Sequence, residues 1–155
     1  MAINYGNPGI WHTPSYQSSG IPWISGSSIA NDKVQMMQFP YVARSFTVIN
    51  TSAANTTYIK VQFQSGSTVT SITRPGTAGE QSATTTADVH TGLHYIEVVG
   101  ESGSVTFNTK CDKVYIANQS GVAATYQIFA ELTNIPASSM WHLTGSGVTD
   151  CPGMA

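Results

Sequence analysis

Four histidines, two cysteines and eight acids are the side chains of this sequence that could do chemistry. His90 and His94 have the four-residue spacing of a helical zinc motif. No glutamate follows His90, however, and Thr91-Gly92-Leu93 leads into a strand. In an extended chain, positions four apart lie on one side at roughly 13 Å, too far to share a metal. Surface histidines are therefore expected, and no metal is assigned. Nucleophilic catalysis needs a Ser or Cys beside a His that an acid orients. Serine is so frequent here that a Ser–His pairing is uninformative, and no G-x-S-x-G elbow occurs. Glu97 and Glu131 are read as outward-facing on strands, with Glu101 in a turn. Asp32, Glu80, Asp88, Asp112 and Asp150 fall in loops or at strand edges, a scatter that singles out no glycosidase pair. Gly145-Ser146-Gly147 lacks the lysine and helix of a phosphate loop. The expectation is no enzyme, no catalytic residue and no cofactor.

Cys111 and Cys151 are too few for a secreted disulfide scaffold. Two reduced thiols are expected, with one bridge tying down the tail as the alternative. Sequons at Asn50, Asn55 and Asn118 are at chance level for a chain in which Ser and Thr make up roughly a quarter of the residues. Residues 1–6 show neither a basic segment nor a continuous apolar one, so no export by the general secretory route is expected.

The aromatic residues carry more information. Trp11, Trp23 and Trp141 all fall outside the alternating runs, and tryptophan outside a core is enriched at interfaces. Residues 1–32 combine these rings with three prolines and several glycines, which block a helix or a central strand. A flexible linker would not carry so many large apolar side chains. The segment reads as an extended arm that docks on its own domain or on a neighbour. Trp11, Tyr16, Ile21 and Trp23 in the arm and Trp141 in the tail are the expected protein-interface anchors. The alternative is that these rings fold back over the ends of their own domain. They could also stack on sugars, as in a carbohydrate-binding module. That reading predicts aromatics on a sheet face or loop cluster with acids and Asn alongside.

The elements that must position these residues are strands. With 155 residues the chain suits a single core. Its charged fraction is 9%, well under the usual roughly 25%. Six Lys and Arg and a net charge of -2 argue against nucleic acid and against a polybasic membrane anchor. No apolar run is long enough for a membrane helix. Period-2 runs occupy 34–39, 44–50, 58–63, 67–73, 93–99, 105–107, 114–116 and 123–132, separated by Gly, Ser, Asn and Asp. Ile59, Val61 and Phe63 are expected inward with Lys60 and Gln62 outward. On the last run Ala124, Tyr126, Ile128, Ala130 and Leu132 share one face. Residues 74–88 read as a long loop or edge strand, and 137–143 as one or two helical turns. The fold predicted is all-β, a single antiparallel β-sandwich of about eight strands, a jelly roll being one such arrangement. Its parts would be an arm at 1–32, the sandwich at 33–135 and a tail at 136–155.

The opening Met1-Ala2-Ile3-Asn4-Tyr5-Gly6-Asn7-Pro8-Gly9-Ile10-Trp11 and the closing 123–136 run, with Leu143-Thr144-Gly145-Ser146-Gly147, resemble small virion proteins of tailed bacteriophages. The likeness is to capsid decoration (cement) proteins of marine phages in particular. It implies a structural role on the capsid surface, assembly in the host cytoplasm, the major capsid protein as partner, and self-association, a trimer being the working expectation. It implies no catalytic residue, no nucleic acid and no membrane. A tail, neck or fibre component is the nearest alternative, and a carbohydrate-binding module the other.

Overall fold

The computed structural model describes residues 21–63, 82–83 and 95–140. Within them lie eight strands: β1 (Ile21–Ile29), β2 (Lys33–Asn50), β3 (Tyr58–Gln62), β4 (Ser82–Ala83), β5 (Ile96–Val99), β6 (Ser104–Phe107), β7 (Cys111–Asn118) and β8 (Ala124–Pro136). A single 3-10 turn, Ala137–Ser139, follows. The strands pair in the order β1-β8-β2-β7-β3-β5, with β4 and β6 also on β2, and every pairing is antiparallel. The chain is an all-β, antiparallel sandwich, as its period-2 pattern predicts.

The sandwich is made by one strand changing layers. Residues 33–38 of β2 pair with β7, whereas 45–50 pair with β8 on one side, and 46–49 with β6 on the other. The pattern predicts two strands here, 34–39 and 44–50; a single strand is observed, bent between them. Pro40 sits in the bend, where the ladder needs no N–H from it. Ala43 opposes Leu132 and Ser45 opposes Glu131, so Arg44 is an extra residue, a β-bulge that turns the strand. Thr133 braces the bend: its Oγ1 donates to the Val42 carbonyl (2.8 Å) and accepts from the Ile135 N–H (3.2 Å). The front layer is β1, β8, the second half of β2 and β6. The back layer is β4, the first half of β2, β7, β3 and β5.

Both layers send alternate side chains into one core. Ala124, Tyr126, Ile128, Ala130 and Leu132 of β8 are all buried there, as are Phe46 and Val48 of β2 and Ile59 and Val61 of β3. A row of aromatic contacts crosses it. Trp23 meets Phe39 edge-on (5.3 Å), Phe39 meets Phe46 (5.8 Å), Phe46 stacks on Phe107 (4.8 Å), and Phe63 abuts both of the last two. Such pairs add about 0.5–1.5 kcal/mol each beyond their burial. One polar relay spans the layers: Tyr126 donates its hydroxyl to Gln35 Oε1 (2.7 Å), and Gln35 Nε2 donates to the Ser28 carbonyl (3.0 Å).

One alternative is decided and one expectation needs correcting. Residues 21–29 of the expected arm dock on their own domain, by pairing with β8. The whole segment is an edge strand in register with β8, where Pro22 is tolerated at the rim. Lys60 and Gln62 are not outward in the sense of solvent; both are buried. Their face of the back layer carries a second buried cluster, Val34, Met36, Tyr115 and Ala117. The Lys60 ammonium is accommodated by a 2.6 Å bond to Gln119 Oε1 and by the Tyr95 ring 4.2 Å away.

Candidate functional site

The outward face of the front layer is built by the same alternation that fills the core. Register places Ile24, Phe129, Thr47 and Thr106 in one row across β1, β8, β2 and β6. Pro22, Glu131 and Ser45 form the row beside it, and Gly26, Gln127, Ile49 and Ser104 the row on the other side. The face mixes hydroxyls and amides with large apolar groups, Ile24 (70% exposed), Phe129 (38%) and the half-buried Ile49. Side chains cross-brace it: Thr47 and Thr106 share a 2.8 Å hydrogen bond, Thr51 donates to Thr125 (3.0 Å), and Ser45 Oγ donates to Glu131 Oε2 (3.2 Å).

A groove of about 530 Å³ opens on this face, lined by Arg44, Ser45, Phe46, Thr47, Thr106, Asn108, Lys110, Phe129 and Glu131. The volume lies in the range of small-ligand sites. The β2 bulge delivers Arg44, and the link between β6 and β7 delivers Asn108 and Lys110. Among the described lining residues, two of the chain's six cations accompany one carboxylate, Glu131. Among the described residues Arg44 and Asn108 make no side-chain hydrogen bond or ion pair, so both present unengaged donors. The groove thus offers cations, an amide, hydroxyls and an aromatic ring along one face.

Of the five expected interface anchors, two are described. Trp23 is half-buried, with its ring turned onto Phe39 of its own core. Ile21 is 53% exposed at the start of β1. Trp11, Tyr16 and Trp141 lie outside the described residues, as do all four histidines, Cys151 and the 74–81 and 84–88 parts of the expected loop. Cys111 is a free, buried thiol. Burial, with the adjacent Asp112 charge, pushes its pKa well up, the opposite of a reactive nucleophile. No cluster of His, Cys, Asp and Glu able to hold a metal exists among the described residues. Asn50 and Asn118 of the sequons are buried, whereas Asn55 is exposed.

The groove residues were not singled out from the sequence, although Glu131 was read as outward. The outward position of Phe129 follows from the same parity as the inward set on β8. The adjacency of Arg44, Asn108 and Lys110 does not, because it depends on the bulge and on β6 pairing with β2. Phe129 is thus an aromatic on a sheet face that lines one groove with Glu131 and Asn108. No family model, no curated protein and no solved structure matches the chain.

Proposed function

We propose that this chain is a non-enzymatic structural protein of a bacteriophage virion, a decoration or cement protein that binds the major capsid protein and self-associates on the head surface. The sequence resemblance supports this reading. The structural observation that carries it is the apolar edge strand: Ile21 and Ile24 of β1 are 53% and 70% exposed, and the chain continues from Ile21 into the segment containing Trp11 and Tyr16. Fully covering an exposed Ile stabilises a contact by about 1.5–3 kcal/mol. Such weak contacts, repeated over a particle, become collectively strong. A low-charge, hydroxyl-rich surface also adds little self-repulsion between neighbouring copies.

Quantitative mass spectrometry of purified particles containing this chain tests the reading. A copy number comparable with that of the shell subunit is the expected result. A copy number matching one closed ring would move the chain to the neck or tail. Absence from particles would overturn the virion assignment.

A further inference from the structure

We propose that the groove across β8, β2 and β6 is a saccharide site for a sugar bearing a carboxylate, of the uronic-acid type. This inference does not rest on the virion reading, and either can fail alone.

The lining combines side chains that few ligand classes match together. Register puts Thr47, Thr106 and Phe129 in one row and Ser45 with Glu131 in the next, with Arg44 past Ser45, and the chain after β6 adds Asn108 and Lys110 to the lining. Arg44 reaches the groove because the bulge makes it the unmatched residue between Ala43 and Ser45. Its planar fork suits bidentate recognition of a carboxylate, and among the described residues nothing occupies it. In the row beside Phe129 lies Glu131, whose Oε2 accepts from Ser45. A fixed carboxylate opposes a bare dianion such as phosphate, and favours a ligand that brings hydroxyl donors as well as a negative charge. Phe129, 38% exposed, gives the C–H face of a pyranose ring something to lie on. Asn108, with both amide donor and acceptor available, suits a vicinal pair of hydroxyls. A neutral sugar would leave the Arg44 charge unmatched. A phosphate would leave Phe129 unused and would face Glu131.

The test is a titration of isotopically labelled full-length protein, read by backbone amide shifts. The probes are a trimer of galacturonic acid, its methyl ester, the galacturonate monomer and inorganic phosphate. The acid trimer is expected to shift Thr47, Thr106, Asn108 and Lys110, and the uncharged ester to bind about tenfold more weakly. Arg44→Gln should lose about the same factor. Phe129→Ala should weaken both trimers while the circular dichroism spectrum is unchanged. Tighter binding of the trimer than of the monomer assigns a glycan chain, and equal binding a free sugar acid; both support the site. Equal affinity of acid and ester would overturn the proposal, as would saturation of the same amides by phosphate, or no groove shifts with either acid at millimolar concentration.

Discussion

Replacing Asn118 by Ala should destabilise the fold by about 3 kcal/mol, although the residue touches no proposed site. Asn118 is fully buried where β7 ends. Its Nδ2 donates to the carbonyls of Ile29 (3.0 Å) and Val122 (2.7 Å), so one amide joins the end of β1 to the turn entering β8. Its Oδ1 accepts from the backbone N–H (2.9 Å) and hydroxyl (2.8 Å) of Ser120. Alanine leaves two carbonyls and one N–H without these partners. A buried polar group left unsatisfied costs about 1–3 kcal/mol. Val122 keeps a 3.2 Å bond from Ser120 Oγ and Ser120 is only half-buried, so the loss concentrates on the Ile29 carbonyl.

Urea unfolding followed by tryptophan fluorescence measures the effect. With an m-value of about 2 kcal/mol/M, the midpoint should fall by about 1.5 M. Asn55→Ala, at an exposed sequon, should stay within about 0.5 kcal/mol of the parent. Asn118→Asp preserves the side-chain shape but turns a carboxylate toward two carbonyl oxygens. It should cost at least as much at neutral pH, and lose less as acid protonates it into a donor. An Asn118→Ala midpoint indistinguishable from the parent would refute the reasoning, because it would mean that the amide does not join these strands.

Gly100→Ala should be strongly destabilising, by about 2 kcal/mol or more, since a Cβ there would overlap the Ala54 carbonyl oxygen, backbone that cannot swing aside. Gly121→Ala meets no atom within 4 Å but sits at φ +89°, so its cost should be the conformational part alone, about 1 kcal/mol; thermal melts of the two variants separate steric from torsional strain. Stability should also fall in alkali. Burial, with the Asp112 charge beside it, raises the Cys111 pKa above its ordinary 9.0, and burial raises that of Tyr126 above 10.0. The unfolded chain therefore releases protons that the folded chain keeps. Stability is whole below about pH 9 and declines above it by up to about 1.4 kcal/mol per pH unit per group. Urea midpoints from pH 7 to 11 should bend downward, less steeply in Cys111→Ala; midpoints level to pH 11 would contradict the burial of both groups.

Most of the sandwich can be read from alternation alone, because a half-buried strand writes its inward face into every second residue. On β8 the parity set by Tyr126 and Ile128 assigns all five buried positions from Ala124 to Leu132. Parity fails where both faces of a strand are buried. Lys60 and Gln62 look solvent-facing by type, yet they share a face with Tyr115 and Ala117. The polar pattern of β3 reflects a cation held by Gln119 and Tyr95 rather than contact with water. It fails again where a strand bends without ending. Phe39-Pro40-Tyr41 reads as a break, because proline stops ladders, but the β7 ladder is interrupted between Gln38 and Ala43, no N–H is required of Pro40, and β2 continues into the other layer.

The bulge at Arg44 explains why the groove was hidden. Each lining residue is unremarkable by itself: a lone Arg, scattered threonines, one outward Phe. Their chemistry depends on adjacency, which β2 creates by carrying β8 on one side and β6 on the other over the four residues 46–49. Neither pairing is encoded locally, since β6 follows β2 by more than fifty residues and β8 by more than seventy. Trp23 shows the converse limit of residue type. Its type and its proline-rich surroundings mark it as an interface residue, yet one period-2 step places it on the inner face of an edge strand, against Phe39. Residue type suggests what a side chain could bind; strand parity and partner decide what it meets. In this chain they turn a tryptophan inward and leave Phe129, Arg44 and Glu131 around the groove on the open face.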